Sequence, residues 1–174
     1  MLRAWLLSEE KGLTSKYITL EELYRTSWVE YYQIDPNNYE QDPLLKNLIE
    51  ERDNHQTNVV EKLEDDELLE NITEHFHEHD EFRLVLEGCG FFDIRDKYDE
   101  WLRIELIPGD LIVIPGGCYH RFVVEDKNTY KGVRFLKDYG YRAFKRPNDE
   151  LDCRKDYMRR LYNGAYDDQA KLQQ

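Results

Sequence analysis

Six runs of apolar and β-branched residues follow one another along the middle of the chain, at residues 82–87, 91–95, 101–106, 111–114, 119–124 and 130–136. All are short and rich in Val, Ile, Phe, Tyr or Trp, the side chains that fit a pleated, half-buried surface. The segments between them are Gly88-Cys89-Gly90, residues 96–100, Ile107-Pro108-Gly109-Asp110, Pro115-Gly116-Gly117 and residues 125–129. They concentrate Gly, Pro, Asp and Asn, residues that set turn dihedrals or bond their own backbone. The pattern predicts six short strands joined by tight turns.

The N-terminal third has a different texture. Residues 2–7 read as an edge strand, and Thr19-Leu20-Glu21-Glu22 has the Thr-x-x-Glu form of a capping box opening a short helix. Pro43 stands at the first turn of a second helical run through Ile49, and the acidic, leucine-paired residues 61–70 suggest a third. Beyond the strands, Pro147-Asn148-Asp149-Glu150 opens a further helix. Its acidic start and its later Arg154, Lys155, Arg159 and Arg160 complement the helix dipole, and Asn163-Gly164 supplies a stop.

Short strands at even spacing favour a small double-sheet jelly roll or barrel of the cupin kind. The expected fold is therefore mostly β: a cupin-type double-stranded jelly-roll barrel with a few flanking α-helices. A single domain over residues 1–164 is expected, with an α/β segment at 1–70 bracing a barrel at 71–136. A C-terminal helix over about 148–163 and a flexible tail at 165–174 complete it.

Candidate chemistry changes the picture from scaffold to site. His75 and His77 alternate, which on a strand puts both rings on one face about 6.6 Å apart along the chain. A straight strand would carry Glu81 about 13 Å past His77, too far to share an ion, so the chain must bend at Glu78-His79-Asp80. Glu81 then heads the strand at 82–87, and His120 arrives from a distant strand. Three imidazoles and one carboxylate make a mixed nitrogen and oxygen donor set suited to a divalent transition metal. Such a set leaves an octahedral ion two open positions. His79 in the bend and His55 in the polar run 52–56 read as surface residues, not ligands. Arg83, two residues after Glu81, shares its face and could hydrogen-bond a substrate oxyanion. Cys118 shares parity with His120 and reads as a small buried filler.

These residues carry a family resemblance. His-x-His-x-x-x-Glu at 75–81, Leu-Glu-Gly-Cys-Gly-Phe-Phe-Asp-Ile-Arg-Asp at 86–96, Pro-Gly-Asp-Leu at 108–111 and Tyr-His-Arg-Phe at 119–122 closely resemble the acireductone dioxygenase family. Ala4-Trp5 and Tyr39-Glu40-x-Asp42-Pro43 look like its N-terminal segment, and the likeness spans most of residues 1 to about 147. It implies one Fe(2+) or Ni(2+) ion per chain held by His75, His77, Glu81 and His120. The implied substrates are acireductone and O2, in methionine salvage. With iron the family forms 4-methylthio-2-oxobutanoate and formate; with nickel, methylthiopropanoate, formate and carbon monoxide. Arg83 matches a substrate-contacting arginine of the family, and Arg134 a second. The alternatives left standing are another metal-dependent cupin enzyme and a non-catalytic metal-binding module.

The chain departs from the family at Pro115-Gly116-Gly117-Cys118, which stands where Pro-Ala-Gly-Ile is usual, and at residues 137–141. Residues 52–73 look shortened and divergent.

Composition narrows the partners. A net charge of −13 over 174 residues argues against sequence-independent nucleic-acid binding and against docking on anionic lipid. Cys89, Cys118 and Cys153 are odd in number and widely spread, so no disulfide framework is expected. With the unpaired cysteines, the lack of a visible signal segment or long apolar run leads us to expect a reducing compartment, the cytoplasm first and the nucleus as a second candidate; a monomer is expected.

Overall fold

The apolar runs pair into two antiparallel sheets. A computed structural model describes residues 2–7, 16–61, 63–137 and 142–163. One sheet joins β1 (Arg3–Leu6), β4 (His75–Phe76), β6 (Gly90–Arg95), β7 (Trp101–Leu106), β9 (His120–Val124) and β11 (Phe144–Lys145) in the order β1-β7-β6-β9-β4-β11. The other joins β2 (Glu30–Gln33), β3 (Gln56–Glu61), β5 (Glu81–Glu87), β8 (Asp110–Ile114) and β10 (Lys131–Leu136) in the order β2-β8-β5-β10-β3. The six strands read from hydrophobic patterning all form, with ends within one residue of expectation. The strand at 2–7 forms as β1, on a sheet edge.

Strand alternation builds the interior. Phe92 and Ile94 of β6, Leu102 and Ile104 of β7, Phe122 of β9, Val85 of β5 and Ile112 and Ile114 of β8 belong to one buried cluster between the sheets. The alternate residues Phe82 and Leu84 of β5, Leu111 and Val113 of β8 and Val133 and Phe135 of β10 face the other way. They pack with Leu45 and Leu48 of helix α2 (Pro43–Arg52), which covers the outer face of the five-stranded sheet. Each β5 side chain is thereby assigned a side: Glu81, Arg83 and Val85 point in.

The first two helices start where the sequence places them. Helix α1 (Leu20–Ser27) opens with Thr19 Oγ1 accepting from the Glu22 amide at 3.1 Å, while the Thr19 amide donates to Glu22 Oε2 at 2.9 Å. The Leu45 amide donates to Asp42 Oδ1 at 2.9 Å ahead of Pro43. The third helix, α3 (Asp65–Ile72), starts four residues later than residues 61–70 suggest, because residue 61 belongs to β3. The last, α4 (Asp152–Asn163), begins inside the expected span rather than at its start. Residue 164, the stretch at 165–174 and four of the five divergent residues at 137–141 lie outside the described residues.

The segment before residue 70 does more than brace. It contributes β1, β2 and β3 to the two sheets. Neither β2 nor β3 stands out as a strand in the sequence: Glu-Tyr-Tyr-Gln is polar at both ends, and Gln-Thr-Asn-Val-Val-Glu mixes polar and apolar without alternation. The partner strands β8 and β10 impose the pairing.

Candidate metal centre

The donor residues reach the interior from three strands and a bend. His75 on β4 pairs directly with His120 on β9. The chain leaves β4 after Phe76, turns through residues 78–80 and re-enters as β5 at Glu81 on the opposite sheet, so the bend required by the spacing is present. Several bonds hold it. The Gly117 amide donates to the His77 carbonyl at 2.8 Å and the Gly116 amide to Asp80 Oδ1 at 3.0 Å. Asn54 Nδ2 donates to the carbonyls of Asp80, at 2.9 Å, and Phe135, at 3.1 Å, tying the bend to β10. Arg52 pairs with both Asp80 and Glu30. The Gly116 departure has a local reason: a Cβ there would collide with the Glu78 carbonyl oxygen, so only glycine lets the two turns approach this closely.

One ring nitrogen from each of His75, His77 and His120 lies within 4.8 Å of the others. Ring centroids are 4.9 Å apart for His75 and His77, 4.6 Å for His75 and His120, and 5.4 Å for His77 and His120. Their orientation is set from outside. Nδ1 of His75 meets the Thr73 carbonyl at 2.6 Å, that of His77 the Arg142 carbonyl at 2.9 Å, and that of His120 the Cys118 carbonyl at 2.9 Å. A carbonyl only accepts, so each Nδ1 carries the proton and each Nε2 keeps its lone pair. This outer-shell arrangement is what metal-ligating histidines use. Burial, with the neighbouring His120 ring adding to it, pushes the His75 pKa down to about 3. Burial, offset in part by Glu81, takes His77 down to about 4. Both rings are thus neutral and ready to donate near pH 7.

Glu81 closes the set on one side. Its Oε2 lies 3.3 Å from Nε2 of His120 and 3.8 Å from Nε2 of His77. Its Oε1 accepts from Arg83 Nε at 2.7 Å, and both residues are buried. Burial opposes ionisation of Glu81, but the Arg83 guanidinium beside it outweighs that and holds the carboxyl well below the usual range. Three nitrogen lone pairs and one ionised oxygen therefore converge in a buried place, a donor set that fits a divalent transition metal.

Arg83 is where strand alternation puts it, on the face of Glu81. Its guanidinium carbon sits 5.6 Å from the ring centres of both Phe92 and Phe122, which identifies two aromatic residues beside the site that the sequence could not single out. Arg134 on β10 stands opposite Arg83 in register. Two adjacent guanidinium groups on one inner wall favour an anionic guest. His79 and His55 are exposed, as expected for turn and surface residues. Cys118 is fully buried against the Tyr157 hydroxyl at 3.4 Å, and its part in the site is its backbone carbonyl, which orients His120. The Thr73, Arg142 and Cys118 carbonyls were invisible in the sequence, because every residue has one.

Comparison with known proteins places this geometry. Among solved structures, an acireductone dioxygenase from Bacillus anthracis with a cadmium ion in its active centre superposes with a TM-score of 0.65 at 20% identity. The match covers 81% of this chain and 95% of that one and establishes the cupin-type fold. An acireductone dioxygenase of Drosophila pseudoobscura pseudoobscura is 37% identical over 91% of this chain and 94% of its own. One from Gallus gallus is 37% identical over 95% and 99%. The model of the ARD/ARD′ family matches residues 7–140, a span that takes in all four donor residues and both arginines. With the fold, the spacing and these relatives in agreement, the chain belongs to the ARD/ARD′ family.

Proposed function

We propose that the protein is an acireductone dioxygenase of methionine salvage, with His75, His77, His120 and Glu81 holding one Fe(2+) or Ni(2+) ion and with Arg83 and Arg134 receiving the substrate. The observation that carries this reading is the convergence of three Nε2 lone pairs and Glu81 Oε2 on one buried point. When bound there, the metal supplies a Lewis acid and a template for the two adjacent oxygens of an enediol.

The chain's own residues do the rest. The carbonyls of Thr73, Arg142 and Cys118 lock the three rings, so little reorganisation accompanies loading. The Arg83 Nε–H fixes Glu81, and its terminal Nη groups are the donors it would offer to an enediolate oxygen. Phe92 and Phe122 beside it exclude water and keep that charge effective. The products follow the family's two routes: 4-methylthio-2-oxobutanoate and formate with iron, or methylthiopropanoate, formate and carbon monoxide with nickel.

The test mixes Fe(2+)-loaded protein with the enediol under anaerobic conditions, then admits oxygen. Loss of the enediol's ultraviolet absorbance with release of one formate per substrate is expected. Loss no faster than the protein-free background rejects the reading, and loss without formate points to a different oxygenase.

A further inference from the structure

Helix α4 lies beyond the residues that the family model matches, yet it grips the turn at 115–118, which serves two of the donor residues. On one side of that turn the Gly117 amide donates to the His77 carbonyl at 2.8 Å. On the other the Cys118 carbonyl meets Nδ1 of His120 at 2.9 Å. Between them stands the Gly117 carbonyl, which accepts from Nη1 of Arg154 at 2.9 Å. Arg154 is buried, a setting in which a guanidinium is found only with partners. Its Nε donates to Asp149 Oδ1 at 3.2 Å, and its guanidinium carbon sits 4.6 Å from the ring centre of Tyr119, the residue before His120. Gly117 is suited to the contact. Its φ is +85°, and a Cβ there would meet the Cys153 carbonyl oxygen at 2.7 Å, so a side chain would push the turn off the helix.

A hydrogen bond from a charged donor is shorter and stronger than a neutral one, so the Arg154 bond holds the Gly117 carbonyl firmly. Fixing that carbonyl fixes the turn from which the His77 backbone and the His120 ring both take their positions. A metal site depends on such support, because its ligands must be held to within about 0.5 Å. We propose that Arg154 is a positioning residue of the metal centre: through the Gly117 carbonyl it sets the 115–118 turn, and with it His77 and His120, for the ion. The proposal rests on the reading of the site given above.

In Arg154→Gln the amide nitrogen takes the place of Nε and keeps a donor for Asp149, while the donor to Gly117 is deleted. Ni(2+) affinity is measured on the full chain, together with the Tm of the metal-free and the Ni(2+)-loaded forms. Affinity is expected to fall about tenfold, the lower end for groups that orient ligands from outside. The rise in Tm on loading should shrink with it, whereas a merely structural role would lower both Tm values equally. Tyr157→Phe separates holding the turn from docking the helix. It removes the hydroxyl that donates to the Ser27 carbonyl at 2.9 Å and touches the Cys118 thiol, and it leaves Arg154 in place. Its metal-free Tm is expected to fall, with Ni(2+) affinity within about twofold of wild type. Wild-type Ni(2+) affinity in Arg154→Gln, or an equal loss in Tyr157→Phe, overturns the proposal. If Arg154→Gln does not fold, Arg154→Met takes its place under the same criteria. Failure of the wild-type protein itself to bind Ni(2+) removes the metal centre, and this role with it.

Discussion

Asp93 and Glu81 are buried carboxylates on opposite sheets, and only Glu81 faces the imidazoles. Asp93, on the outer face of β6, has no exposed surface and is saturated. Arg103 donates to its Oδ1 at 2.6 Å and Oδ2 at 2.8 Å, and Arg121 donates to Oδ2 at 2.7 Å, both arginines lying directly across the ladder. Glu81, on the inner face of β5, spends one oxygen on Arg83 and turns the other toward two imidazole nitrogens. Asp93 is a structural ion pair and Glu81 a prospective ligand, although their burial is the same. Burial says that a charge must be compensated; the direction of its remaining lone pairs says whether the compensation is the fold itself or something the fold binds.

The comparison breaks most sharply at Glu81. Glu81→Gln is expected to lower metal affinity by roughly a hundredfold, at least as much as losing an outer-shell partner. Metal retained per chain after dialysis against a chelator checks this, and full retention would take Glu81 out of the donor set. Asp93→Asn should do the converse. It leaves two guanidinium groups short of a charge and costs on the order of 3 kcal/mol, or roughly 10 °C in Tm. Metal per chain should be unchanged, and a loss of metal would erase the distinction. Asn54→Ala sharpens it further, since this side chain touches neither carboxylate yet ties the 78–80 bend to β10. Removing its two buried hydrogen bonds should cost about 2 kcal/mol by thermal unfolding, with metal still bound. The smallest effect is expected at His79→Ala: stability within about 0.5 kcal/mol of wild type and full metal content, as for an exposed turn residue.

Much of the β scaffold could be read in advance because strands with one buried face advertise it by alternation, and the turns by Gly, Pro and Asp. The capping box at Thr19 is equally local, two short-range hydrogen bonds within one four-residue signature. Strands β2 and β3 escaped notice because neither has a clear apolar face of its own; each is stabilised by the strand beside it. The pairing of Arg83 with Glu81 was half legible. Parity put both on one face, but nothing local shows that the guanidinium would bond the carboxylate and hold it ionised.

The same division runs through the whole molecule. The sequence by itself determined which residues could ligate, that the chain had to bend between His77 and Glu81, and which family the pattern resembles, since these rest on residue type and on the fixed rise of a strand. Only the tertiary structure decided that three backbone carbonyls, from Thr73, Arg142 and Cys118, lock the imidazoles, and that Asp93 is satisfied while Glu81 faces the rings. Those outcomes depend on distances between atoms far apart in the chain, which residue type and spacing along one strand do not specify.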